Sequence, residues 1–283
     1  MTLRKRRVIL IICIIALFII VPIVILYNYG YRINSKLQIT QTGGLYISSP
    51  IRDAKIIIDN KEKSFGIFNK DVLLQSLIPK TYSVAVIKEK YWPWYKDLEV
   101  KGRIVTEARS FLIPIDPNGE IIPSEQLNVD ENVDIMNEFK KITNIPKKFK
   151  DEEEKKLFFS RFTKDEKERL WWEPEKNEIK VEWLDKEEII PYYFCLETNK
   201  CMMSMVIINT ISNVKNVDFY PGRKDVIIMA SQNGVFAIEI DGRGNRNIQP
   251  IYKGKEPTFI TYKNMNLIYI LDDNNLIKIN LEL

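Results

Sequence analysis

Between Val8 and Leu26 the chain runs nineteen residues without a charge, and sixteen of them are Ile, Leu, Val or Phe. A helix needs about 20 apolar residues to cross roughly 30 Å of hydrocarbon, so this run predicts a membrane-spanning helix, Pro22 notwithstanding. Arg4, Lys5, Arg6 and Arg7 precede it, and Tyr27, Tyr29 and Tyr31 follow it. Basic flanks stay on the cytoplasmic side and tyrosines suit the opposite interface. The expectation is a single-pass plasma-membrane protein, amino terminus inside and remaining domains outside. A cleaved secretory signal competes with it, but the run exceeds the usual roughly 7–15 residues and no A-x-A-like site follows. Cys13 lies inside the run without small residues ahead of it, which disfavours a lipoprotein and leaves a membrane-buried thiol.

After the span the period changes to that of strands. Lys36 to Thr42, Leu45 to Ser49, Ala54 to Asp59, Thr81 to Lys88, Lys96 to Val100 and Ile104 to Ile113 are short runs rich in Ile, Val, Tyr and Thr, with Gly43-Gly44 and Pro50 among the breaks. Such runs, with a turn every ten or so residues, predict a small antiparallel β domain over 31–114, of a size suited to a sandwich. The next stretch, 115–165, is a charged connector. Within it Asp134 to Ile142 and Asp151 to Phe162 carry apolar residues at helical spacing, and acidic residues lead the second, where a helix dipole favours them. Its charge run, KKFKDEEEKK, reads as a solvated face.

The segment 166–283 contains an internal repeat. LWWEPEKNEIKVEWL from Leu170, VIIMASQNGVFAIEI from Val226 and LIYILDDNNLIKINL from Leu267 each read as strand, turn, strand. Their starts lie 56 and 41 residues apart, near the roughly 40–50 of β-propeller blades. Three copies cannot close the usual ring of about four to eight blades. The expected fold class is therefore mainly β: transmembrane helix at 1–30, β-sandwich, short helical connector, and an open set of antiparallel blade-like sheets, an incomplete propeller whose last strand ends the chain.

Two family resemblances accompany this reading. Ser49-Pro50, Ala54, Ile56, Ile58 and Asp59, then Leu77, Pro79, Tyr82, Val84 and Val86, then Tyr91, Trp94, Val100 and Gly102 follow the order and spacing of the PEGA domain, a small β-sandwich of bacterial surface proteins, which this stretch of about seventy residues resembles. Where that pattern has glycines, this chain has Asp53, Asn60, Thr81 and Lys90. The departures fall at turns, where Asn and Asp accept positive φ and Thr and Lys do so poorly. The middle repeat, with VDFYPGRKD before it and Asp241-Gly242 after it, resembles TolB-like and WD40-like blades. Together these resemblances imply a PEGA-domain single-pass bacterial membrane protein. Gly222, Gly242 and Gly244 would supply positive φ in the tail, and Arg223, Arg243 and Arg246 would pair with neighbouring acids or carbonyls.

Composition narrows the chemistry. With no histidine in 283 residues and three cysteines, neither a Ser-His-Asp nor a Cys-His system can be assembled, and the common mixed and four-thiolate zinc sites are excluded. No catalytic residue, cofactor or metal is expected. The chain carries 42 Lys and Arg against 38 Asp and Glu, and the four basic residues before the span account for the excess. A neutral exterior gives no drive toward phosphate backbones, so nucleic acid is not an expected partner; oligomeric state is left open.

Three clusters could carry function. Cys195 and Cys201 flank LETNK, where a hairpin would set them side by side as a disulfide or a reduced pair. Tyr91, Trp92, Trp94 and Tyr95 form an aromatic run suited to stacking on sugars or to the domain's own core, with Trp92 and Tyr95 expected to face outward. Of Trp171 and Trp172 one should face an inter-sheet core. The leading function is a non-enzymatic, membrane-anchored envelope protein whose β modules bind cell-wall polysaccharide or an envelope protein. The alternative is a cell-wall glycan hydrolase, or its accessory subunit, using paired carboxylates.

Overall fold

The computed structural model describes residues 3–34, 37–63, 71–123, 130–197, 200–209, 213–262, 266–273 and 275–281. The first element is the apolar helix α1 (Leu3–Asn28), with Pro22 inside it. From Arg4 to Asn28 none of it is buried, and it is long and apolar enough to cross a membrane. The rest is mainly β, in several sheets of which none closes into a barrel among the described residues.

In chain order the strands before the connector are β1 (Tyr31–Ile33), β2 (Ile39–Gln41), β3 (Gly43–Ser48), β4 (Lys55–Ile58), β5 (Lys61–Lys63), β6 (Asp71–Leu77), β7 (Lys80–Ile87), β8 (Trp94–Val100) and β9 (Val105–Arg109). The connector holds β10 (Gly119–Ile122), α2 (Asp130–Thr143) and α3 (Glu152–Phe158). The tail holds β11 (Ser160–Phe162), β12 (Glu168–Glu173), β13 (Glu178–Trp183), β14 (Cys195–Glu197), β15 (Lys200–Cys201), β16 (Ser204–Asn209), β17 (Val214–Phe219), β18 (Val226–Ser231), β19 (Gly234–Glu239), β20 (Ile248–Lys253), β21 (Thr258–Tyr262), β22 (Leu267–Asp272) and β23 (Asn275–Asn280).

The chain divides into two compact units that do not follow its order. The first comprises Met1–Ser48, Asp71–Tyr82 and Leu98–Arg109, the second Ser49–Lys70, Ser83–Asp97 and Ser110–Leu283. The first unit contains α1, the β1-β2 hairpin and the sheet β6-β3-β9, in which β3 runs antiparallel to β6 and parallel to β9. Gly43 and Gly44, read as a turn, lie inside β3. A Cβ on Gly43 would fall against the Lys101 carbonyl oxygen, so the glycines admit a close backbone approach rather than a reversal.

In the second unit, β4, β5 and the parts of β7 and β8 that it holds form a sheet in the order β5-β4-β7-β8. The replaced glycines behave as the turns require: Asp53, Asn60 and also Lys90 take positive φ, at 59°, 63° and 66°, whereas Thr81 does not. Each of the three repeat hairpins is the centre of a four-stranded sheet: β11-β12-β13-β16, β17-β18-β19-β20 and β10-β23-β22-β21. The last sheet recruits a strand from outside the repeats. β23 pairs with β10 from Gly119↔Ile279 to Ile122↔Leu276, so a strand from the connector covers the edge that would otherwise template association.

The first two of these sheets share one core, in which Leu170, Trp172, Val181, Val217, Ile227 and Ile238 are buried. Each such side chain is worth about 1.5–3 kcal/mol of burial. Trp172 faces that core, while Trp171, also buried, turns to the other face, where the Lys156 ammonium lies 4.3 Å from its ring centre. The connector is structural as well as charged. Ile135 and Phe139 of α2 pack on Ile260 and Leu276 of the last sheet, and Asp151 caps α3 by accepting the Glu154 N–H at 2.7 Å. α3 stops at Phe158 because Ser160–Phe162 is taken as β11 along β12.

Candidate functional site

β8 alternates buried and exposed positions from Trp94 to Val100, so its pleat buries Lys96 on the same face as Trp94. Both are sealed, Trp94 at 0% and Lys96 at 2% exposure. An ammonium there needs an anion, and β19 supplies it. Lys96 Nζ donates to Glu239 Oε2 at 2.8 Å, to the Asp241 carbonyl at 2.9 Å and to the Asn245 carbonyl at 3.4 Å. The Trp94 indole N–H donates to Glu239 Oε1 at 3.3 Å. Burial pushes the Glu239 carboxyl up, against the pull of Lys96.

The network extends through the loop that carries EIDGRGNRN. Asp241 accepts from Arg243 at 2.8 and 3.0 Å. Asp225 holds Arg223 in a two-point fork at 2.6 and 2.7 Å, and Arg223 donates its third bond to the Ser110 carbonyl at 3.0 Å. Asn247 clamps the main chain of Tyr95, accepting its N–H at 3.0 Å and donating to its carbonyl at 2.9 Å. Gln249 accepts the Ile113 N–H at 2.8 Å and donates to the Pro93 and Phe111 carbonyls at 3.3 Å. Lys96, Arg223 and Arg243 thus meet Glu239, Asp225 and Asp241, three charges of each sign. Arg246 goes to the Ile240 and Ile207 carbonyls.

The two motifs that stood out separately in the sequence, the YWPWY run and the EIDGRGNRN loop, are therefore one assembly. Sequence reasoning missed Lys96 and Glu239 as its centre, although Lys96 alternates with Trp94 and Leu98. Gly244 has φ 62° and a Cβ there would lie 2.5 Å from the Asp97 carbonyl oxygen; Gly222 is also at positive φ, but Gly242 is not.

Of the aromatic run, Trp94 belongs to the core and Tyr95 is 53% exposed. Tyr91 is half-buried and bridges to Pro114. Trp92 corrects the expectation of an outward ring: it is half-buried, its indole nitrogen is sealed, and its backbone N–H donates to the Ile113 carbonyl at 2.9 Å. Tyr95 alone among the four offers an open face.

Cys195 and Cys201 stand opposite each other in the β14–β15 hairpin and are joined by a disulfide. A ring this short should add about 2 kcal/mol by loop entropy. Non-reducing peptide mapping should recover the two cysteines linked, and quantitative alkylation of both without reductant would reject the bond. At α1, Arg4, Lys5, Arg6 and Arg7 are exposed at one end. At the other, Tyr27 and Tyr29 are open, and the Arg32 guanidinium sits 3.4 Å from the Tyr27 ring centre. Among the described residues no group of His, Cys, Asp or Glu has the arrangement of a metal site.

No family model matches this chain, so the PEGA and blade resemblances stand on the residues quoted for them. No curated protein matches it. Among solved structures it is similar to a putative membrane-associated protein of unknown function from Bacteroides fragilis, at 11% identity over 84% of this chain and 98% of that one, with a TM-score of 0.22; a value that low supports no inference of shared fold or function.

Proposed function

We propose that this chain is a single-pass envelope protein, anchored by α1 with its amino terminus in the cytoplasm, whose β modules stand outside the membrane and hold a cell-wall polymer or a protein partner without catalysing a reaction. The observation that carries this reading is α1 itself, an apolar helix with no buried residue from Arg4 to Asn28, basic at its start and flanked by tyrosines at its end. Exposing that surface to water would cost far more than inserting it in hydrocarbon. The Cys195–Cys201 bond suits an oxidising compartment. The buried carboxylates of the Lys96 network are each bonded to cations or N–H donors, which suits a brace between strands better than general acid–base work. The PEGA-like segment and blade-like sheets fit a binding scaffold of the same kind.

Protease added to intact cells should remove the β modules and leave a small membrane fragment containing Arg4 to Tyr29. Full protection in intact cells with digestion in inverted vesicles would reverse the topology and overturn the reading.

A further inference from the structure

We infer that the surface around Tyr95 is a binding site for one neutral sugar unit of a polysaccharide, built by Tyr95, Asn60, Asn245, Asp97 and Ser83; the inference deepens the preceding reading and rests on it for the source of the ligand. These residues line a pocket of about 220 Å³. Tyr95 is 53% exposed while Asn247 clamps its main chain, so the platform is fixed without being covered. Asn60 and Asn245 are exposed, and neither side-chain amide bonds to another described residue, so each keeps both its donors and its acceptor for a ligand. Asp97 accepts the Ser83 hydroxyl at 2.5 Å. That bond orients the carboxylate and leaves it most of its acceptor capacity.

One aromatic face, two free amides and one oriented carboxylate complement a pyranose, which has an apolar C–H face and a rim of hydroxyls. Charge separates this ligand from its rivals. Among the residues lining the pocket the one cation, Lys96, is consumed by Glu239 and Asp241 and is not free for a phosphate or uronate, and Asp97 repels either. The site is also held in shape. Gly244 seats the loop against Asp97, and Lys96 takes the Asn245 carbonyl, which lowers the ordering cost of binding a weakly held ligand.

The full-length protein, in a detergent without a sugar head group, is titrated calorimetrically with N-acetylglucosamine trimer, maltotriose and galacturonic acid trimer. At least one neutral trisaccharide should bind and the acidic one should not. Tyr95→Ala should weaken binding roughly tenfold by loss of stacking. Asn60→Gly, which keeps the positive φ of 63° without strain, and Asn245→Ala should each weaken it roughly fivefold by loss of a hydrogen bond. All three variants should unfold at the wild-type temperature, since the three side chains are exposed. Failure of both neutral sugars to bind, tighter binding of the acidic sugar, or equal binding by all three variants overturns the site. Micelles have no sidedness, so the titration decides the site while protection from protease decides the topology.

Discussion

Lys96→Met should lower the unfolding free energy by roughly 3–5 kcal/mol, the usual cost of breaking a buried ion pair by removing one partner. The side chain of Lys96 is 0% exposed and that of Glu239 is 2% exposed, so no water enters to replace the lost cation. Glu239 would keep the Trp94 and Asn247 donors but lose the charge that opposes its desolvation. The carboxyl would therefore rise further and take up a proton. Two consequences can be measured by urea unfolding. The variant should recover part of its stability as pH falls, because a neutral Glu239 no longer needs Lys96. Adding Glu239→Gln should restore part of the loss at neutral pH, giving a coupling energy of at least about 1 kcal/mol in the double-mutant cycle. A loss below about 1 kcal/mol, or strictly additive effects, would mean that the pair is solvated and does not brace β8 against β19.

The network also shows where sequence patterning stops being informative. Local periodicity was enough to find the three hairpins from Leu170, Val226 and Leu267, because each is two strands joined by a short turn and its partner lies next to it in the chain. It failed for β10, since GEII in a charged connector becomes a strand only through its pairing with β23, at the far end of the sequence. It missed β6, where half of DVLLQSL faces outward and the apolar signal is diluted. Gly43-Gly44 was misread because a glycine that admits a backbone approach and one that makes a turn look alike in one dimension. The candidate site divides in the same way. Tyr95 was visible as an aromatic at an outward position. Asn60, Ser83, Asp97 and Asn245 come from four separate segments, and only the Lys96 network shows why the loop bearing Asn245 reaches β8. The same network explains how a chain whose residues after α1 carry equal numbers of acids and bases can bury these six charged side chains: each is matched locally, which fixes the pairing of strands as well as their charge.

Between pH 5 and pH 8 a second buried carboxyl should make the protein progressively less stable. Glu168, at the start of β12, is 0% exposed. Its Oε1 accepts the Tyr193 hydroxyl at 2.6 Å, while Oε2 has no partner among the described residues. Burial pushes the carboxyl up from 4.5 to about 7; Tyr193 and Lys224 draw it down only in part, and Asp165 and Asp225 add to the rise. The folded protein therefore keeps a proton that the unfolded chain releases. This contribution to stability is complete below about pH 4.5 and lost as pH rises through about 7, a change of up to about 3 kcal/mol. Glu239 is also raised and acts in the same sense, so the informative quantity is the difference between wild type and Glu168→Gln. Glutamine retains an acceptor for Tyr193 and cannot ionise. Its variant should match wild type at pH 5, exceed it at pH 8, and show a flatter unfolding temperature across the interval. Parallel curves for the two proteins would show that Glu168 ionises in the folded state as readily as in water, and would remove it as the source of any alkaline loss.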